Sequence, residues 1–145
     1  PTSLVNAAAA STRSIKLGTT VSVLSTDEPI RVFQQLATAA ALAPGRIEVV
    51  AVRGSSAITF PIFDLDERDY DMLYSSQLEL LLELNRHERV TWSGPHRRHA
   101  LDDLLIVPVA LLCRPVLVAH STREMSECSC GRAPDGEPYR LPSHR

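Results

Sequence analysis

The sequence is poor in aromatic side chains, at 5%, and holds three cysteines, six glycines and a single tryptophan. An odd cysteine count, with Cys128 and Cys130 separated by one serine, does not make the disulfide framework of a small secreted domain. Packing must hold the core, and a reducing, cytoplasmic setting is the expectation. A formal net charge of −2 removes the electrostatic footprint of a nucleic-acid or anionic-membrane binder. No apolar run approaches the roughly 20 residues that a membrane-spanning helix needs, and no cleavable signal pattern opens the chain. The fingerprints G-x-G-x-x-G, the P-loop and G-x-S-x-G are absent as well. The chain begins at Pro1 without a methionine, so it is expected to be a piece of something longer.

What is present is apolar material in a regular order. Hydrophobic residues make up 44% of 145 residues, ample for one buried core. An alanine-rich helix is expected over Thr2–Thr12. Ile15–Leu24 is rich in β-branched residues and ends in Ser25-Thr26-Asp27, which reads as a strand followed by a helix start. Thr26 or Asp27 can cap that helix, and Pro29 suits its first turn because no intrahelical donor is needed there. Ile30, Phe33, Ala37 and Ala41 then share a face, and Pro44-Gly45 stops the helix. Ile47–Val52 is a nearly unbroken apolar run, as a strand buried on both faces should be.

The cycle restarts with a helix over Asp69–His87, whose stripe is Tyr70, Leu73, Tyr74, Gln77, Leu78, Leu81 and Leu84. These leucines need a partner surface, which leads to an expectation of self-association or of a complementing chain. After "RVTWSGPHR" an apolar run is expected over Ile106–Val109, and Val116–Ala119 reads as a third strand. From Ile15 to Ile47 the interval is 32 residues, the length of a βα unit with its crossover, so the fold class is α/β with parallel βα repeats. A doubly wound open sheet and a piece of a (β/α)8 barrel both remain open; a complete barrel takes about 250 residues. Residues 121–145 are rich in turn formers and are expected to be irregular or disordered, which leaves residues 1–120 as the folded domain.

Ligands of parallel α/β sheets bind beyond the carboxyl ends of the strands. Three such ends occur, at Ser25–Glu28, at Arg53–Ser56 and at His120–Thr122. The middle one, Arg53-Gly54-Ser55-Ser56, offers a guanidinium fork beside backbone N–H groups and hydroxyls, the parts of a phosphate site. The alternative is an arginine paired with Asp64 or Glu67. His96, His99 and Cys113 lack metal-ligand spacing, and Cys128, Cys130 and His144 do not make a convincing zinc set. Asp102-Asp103 reads as a turn or helix cap, not a general-base pair.

Three stretches carry a resemblance: "IKLGTTVSVLSTDEPIRVFQQLATAAALAPGRIEVVAVRGSS", "FPIFDLDERDYDMLYSSQLELLLELNRHERVTWSGPHR" and, more loosely, "IVPVALLCRPVLVAH". The chain resembles the luciferase-like monooxygenases, flavin-dependent oxidoreductases built on a TIM barrel. The match runs over about residues 2 to 120. It implies a partial barrel of about strands three to five with flanking helices, FMN or F420 as cofactor, and a small organic substrate. On that pattern Arg53, with Gly54 and Ser55, matches the arginine loop turned toward the FMN phosphate. Thr20 and Val21 fall where many members carry a non-proline cis peptide under the flavin ring, and Ser121 falls at the fifth strand's cofactor end. The resemblance places the Trp92 loop as a short β-excursion that packs or shapes the substrate side. No catalytic residue is assigned within the chain, and no metal. The sequence departs from the family in lacking strands one, two and six to eight, and in the stretch after His120. A non-catalytic part-barrel interaction module or remnant, and a small phosphate- or nucleotide-binding α/β module, remain alternatives.

Overall fold

The computed structural model describes residues 2–108, 116–121 and 124–128, with only the backbone described for the last two stretches and for Thr20 and Ser56. Strand β1 (Leu17–Val23) and strand β2 (Ile47–Val52) pair in parallel, with Leu17 opposite Ile47 and Val23 opposite Val52, as the βα interval predicts. Parallel neighbours cannot be joined by a tight turn, and the helix α2 (Pro29–Leu42) supplies the crossover. Strand β5 (Val116–Ser121) lies parallel on the other side of β2, with Val49 opposite Val116 and Val52 opposite Ala119.

A fourth strand corrects the sequence reading. Within the stretch 121–145, expected to be irregular, β6 (Glu124–Cys128) runs antiparallel along β5, and the sheet order is β1-β2-β5-β6. The exposed edge of a parallel strand presents a row of unpaired N–H and C=O groups, and a chain that doubles back can satisfy them whatever its side-chain pattern. Hydrophobic periodicity therefore gave no sign of it.

The helices show where local rules were right and where they slipped. Helix α1 (Thr2–Ser11) buries Val5 and Ala9, and its last turn is held by Arg46. That guanidinium donates to the carbonyls of Ala9, Thr12 and Ile15 and to Thr12 Oγ1 at 2.9–3.0 Å, so it fills carbonyls that a helix end leaves without partners. The cap of α2 is Glu28, whose carboxylate accepts from Arg31 N at 3.0 Å, and not Thr26 or Asp27. The amides of those two residues both bond to Val23 O, which spends them on the turn that leaves β1. The buried face of α2 is Val32, Phe33, Leu36, Ala37 and Ala39; Ala41 points outward.

A short helix, α3 (Ser56–Ile62), was not foreseen, although Ser55 stands at its cap and Phe60 anchors it at 1% exposure. Helix α4 (Tyr70–Arg86) is buried nearly all round, through Leu73, Leu78, Leu80, Leu81, Leu82 and Leu84. It packs on α2 and on β3 (Arg89–Trp92). The leucines expected to need an outside partner are thus satisfied within the chain. The strand after the excursion is β4 (Leu101–Leu105), antiparallel to β3; it starts and stops before the Ile106–Val109 run, and Val109 lies outside the described residues. Asp102 and Asp103 sit in this strand and not in a turn or cap, and Asp103 accepts from Arg89 Nε at 2.9 Å.

The sheet has one covered face. Thr19, Ser22, Ile47, Val49 and Ala51 are buried with the α2 and α4 side chains, whereas Gly18 and Val21 are exposed and Glu48, Val50 and Val52 only partly covered. The described residues leave the other face of the sheet part-open.

The Trp92 loop is resolved by packing. Trp92 is 8% exposed, and a Cβ built on Gly94 would run into its six-membered ring and come within 2.9 Å of Ser76 Oγ. Only a glycine lets the loop cross the indole. Gly94→Ala should therefore destabilise the chain by about 1–3 kcal/mol, the usual cost of overpacking. Because Trp92 is the sole tryptophan, its fluorescence should shift to the red as the ring is displaced. An unchanged melting temperature with an unchanged emission maximum would contradict this packing.

Candidate functional site

The topology brings the carboxyl-terminal halves of β1, β2 and β5 side by side, with β2 in the middle. Two of the segments singled out in the sequence lie along this rim, Arg53-Gly54-Ser55 and Ser121, while Thr20-Val21 is set back within β1, against Val50. In β1 the register breaks at Thr20-Val21. Thr19 pairs with Val49 and Ser22 with Ala51, so Thr20 and Val21 together stand against one residue of β2. This is a bulge; Val21, 39% exposed, borders a pocket of about 250 Å³ between β1 and the helices, lined also by Thr2 of α1 and by Arg31, Val32 and Gln35 of α2. Among the fully described residues the cis peptide bond is Val107–Pro108.

Arg53 leaves β2 into a set of aromatic rings. Its guanidinium lies 5.3 Å from the centre of the Tyr74 ring and 6.0 Å from that of Tyr70, and it forms an ion pair with Asp71. The alternative to a phosphate role was a pairing with Asp64 or Glu67; the carboxylate on Nη1 is Asp71, one helical turn from Tyr74. The side chain is only 13% exposed, against 64% for Asp71, so the rings shield the arginine while its partner faces solvent. The backbone around it is fixed from two sides. Ser25 Oγ donates to Arg53 O at 2.6 Å, and Tyr70 OH donates to Gly54 O at 2.7 Å. Gly54 holds φ at 80°, a conformation that disfavours side chains, and a Cβ there would lie 2.5 Å from Val23 Cγ1. Ser55 caps α3 through its backbone, its carbonyl accepting from Thr59 N, and it is exposed. Ser121 is paired with Glu124 of β6.

A second cleft, of about 380 Å³, opens between the β1 exit loop and α4. Asp27, Asp66, Asp69 and His96 line it with Phe63 and Leu73. Asp66 is held down at about 2 by the hydrogen bonds it accepts from Arg68, whereas the desolvation that Asp27 suffers pushes its carboxyl up. The loop carrying His96 is tied down by Arg97, which donates to Glu28 at 3.2 Å. Among the described residues no group of three His, Cys, Asp or Glu side chains could hold a metal, and His99 is exposed. Cys113, Cys130 and His144 lie outside the described residues.

Sequence reasoning missed the Tyr70–Asp71–Tyr74 clamp and the Ser25 tie. Tyr70 and Tyr74 are four apart, so they were visible as one helical face, but nothing in the sequence said which loop that face would meet.

Comparison with known proteins assigns the fold. The model of the luciferase-like monooxygenases matches residues 1–133, and the chain belongs to that family. Among solved structures it is similar to the monooxygenase RslO1 from Streptomyces bottropensis, with a TM-score of 0.75 and 24% identity over 85% of this chain and 37% of that one. It is also similar to the oxygenating constituent of 3,6-diketocamphane monooxygenase from Pseudomonas putida, solved with FMN, with a TM-score of 0.61 and 16% identity over 77% of this chain and 32% of that one. An uncharacterized protein, y4wF, of Sinorhizobium fredii is 30% identical over 96 residues, 66% of this chain and 28% of its own length. The chain spans about a third of the length of these relatives, and its α/β sheet is a part of their TIM barrel.

Two substitutions test the rim. Gly54→Ala should cost about 2–4 kcal/mol, a sum of left-handed strain and the clash with Val23, read by thermal or urea unfolding. A loss below half that figure would mean the loop relaxes freely. Asp27 carries a pKa raised in the folded state, so its ionisation opposes folding at neutral pH, and that opposition fades as pH falls through the folded and then the unfolded value. Asp27→Asn should accordingly stabilise the chain slightly at pH 7, and the gain should vanish toward pH 3. A gain that persists in acid would point to a cause other than charge.

Proposed function

We propose that the chain is the central part of a flavin-dependent luciferase-like oxidoreductase, with FMN as cofactor and a small organic substrate. The observation that supports this best is that Arg53-Gly54-Ser55 and Ser121 lie at the carboxyl ends of two adjacent parallel strands, with Thr20-Val21 in the strand beside them. The donor set fits a phosphate: a guanidinium fork, an adjoining loop with no Cβ at Gly54, and the backbone N–H groups at the start of α3. The flavin supplies the redox chemistry when it is bound. This chain's residues position it. Arg53, oriented by Tyr70 and Tyr74, meets the phosphate in competition or in company with the exposed Asp71, while the β1 bulge offers backbone and Val21 to the ring. F420 carries a phosphate too, so the same residues serve it as the alternative cofactor. A cytoplasmic location belongs to the same reading. Among the described residues no helix is long and apolar enough to cross a membrane.

The second reading is a non-catalytic part-barrel that persists as an interaction module or remnant. It is favoured by β6, which lies antiparallel along β5, and by the closure of Arg53 onto Asp71. Among the described residues β1 is paired on one side only, so self-association or a complementing chain is proposed to cover its outer edge.

Titrating FMN, F420 and riboflavin into the chain, with flavin fluorescence as the readout, separates these readings. FMN should bind, and Arg53→Ala should weaken it by about one to two orders of magnitude, since hydrogen bonds to charged groups contribute about 1.5–3 kcal/mol. Arg53→Lys should lose less, because it keeps the charge without the fork. Riboflavin, which has no phosphate, should be indifferent to both. Equal losses for FMN and riboflavin would make Arg53 a fold residue, and absence of any flavin binding would favour the non-catalytic reading.

A further inference from the structure

A buried cation needs a counter-charge, because an ion taken out of water without one is costly. Arg53 meets that need unevenly. Its guanidinium is largely buried and lies against two rings that are themselves fixed. Tyr74 is fully buried, while Tyr70 donates to Gly54 O and meets Phe60 edge to face at 5.5 Å. Asp71, which closes the ion pair, is the exposed partner and sits in the first turn of α4. There the positive end of the helix stabilises a carboxylate with or without the arginine. The cation is therefore held by the fold, whereas its partner can turn to solvent at little cost. Asp71 occupies the open side of the pair, the side on which a dissolved anion would arrive.

We propose that Asp71 is an exchangeable counter-ion, a built-in carboxylate gate on Arg53 that an incoming phosphate group must displace. In the empty chain the carboxylate neutralises the guanidinium and keeps its fork oriented. When the phosphate enters, the bond that Arg53 Nη1 donates passes from Asp71 Oδ1 to a phosphate oxygen, and the carboxylate turns into solvent. The buried charge keeps a partner throughout. Because the open form is only a fraction of the empty chain, the gate lowers the affinity for the anion and raises the concentration at which the site fills. That the anion belongs to a flavin rests on the reading above; the exchange at Arg53 does not.

Asp71→Asn removes the competing charge and keeps the shape of the side chain. FMN should bind this variant of the 145-residue chain about two- to fivefold more tightly, the range carried by an ion pair with an exposed partner. Riboflavin should not respond, and Asp71→Glu, which keeps the charge, should stay near the unsubstituted affinity. In an Arg53→Ala background Asp71→Asn should lose most of its effect, since nothing is left to compete for. An equal gain in both backgrounds would mean general repulsion and overturn the gate. Weaker FMN binding by Asp71→Asn would overturn it as well, because Asp71 would then support the arginine and not compete for it. Inorganic phosphate gives a readout without flavin. At an ionic strength matched with sodium chloride, it should raise the melting temperature of Asp71→Asn more than that of the unsubstituted chain. An equal or smaller rise would overturn the exchange. If the unsubstituted chain takes up no flavin, the cofactor reading falls, and the phosphate result still decides the gate.

Discussion

Parallel pairing of β1, β2 and β5 is the constraint on which the other elements depend. Parallel strands must be linked by long crossovers, and a crossover helix is stable only if it lies on the sheet and buries its apolar side. Helix α2 meets that demand directly between β1 and β2. The second link carries α3, α4 and the β3–β4 hairpin, and α4 packs against α2 to complete the layer. Because the crossovers all return to the same end, the loops leaving the strands collect along one rim, and that is where polar and charged groups gather.

The rim is built from hydrogen bonds that secure the backbone more than from free functional groups. Ser25 reaches across to the carbonyl of Arg53, Tyr70 to that of Gly54, and Glu28 both caps α2 and accepts from Arg97 of the hairpin loop. Apart from the Glu28 cap, each tie joins segments distant in sequence. A rim secured this way can hold a strained glycine and a bulge in place, which a loop held by solvent alone would not. In the proposed flavin-binding reading these features form one wall of the ligand site.

The two edges of the sheet are treated differently. The carboxyl edge of the parallel sheet is covered by β6, an antiparallel strand with no hydrophobic alternation to announce it. On the other side α1 packs against β1 and is anchored by Arg46, which links the end of that helix to the turn entering β2.

The βα rhythm was legible in the sequence because local rules agree there. β-branched residues over Leu17–Val23, a proline at the start of α2, Pro44-Gly45 at its end and an unbroken apolar run over Ile47–Val52 each point to the same elements, and pairing followed from the interval between them. The family was legible too, since it resides in short contiguous motifs. Tertiary structure decided what depends on meetings between distant segments. The partner of Arg53 is set by the docking of α4 and not by a nearby acid, and Thr19 and Ser22 share a face only through a bulge formed against β2. Gly94 is required only because Trp92 folds back over it, and β6 exists because β5 offers an edge. Backbone hydrogen bonding is indifferent to side-chain identity, and packing compares surfaces that the one-dimensional pattern keeps apart, so neither could be read before the chain had folded.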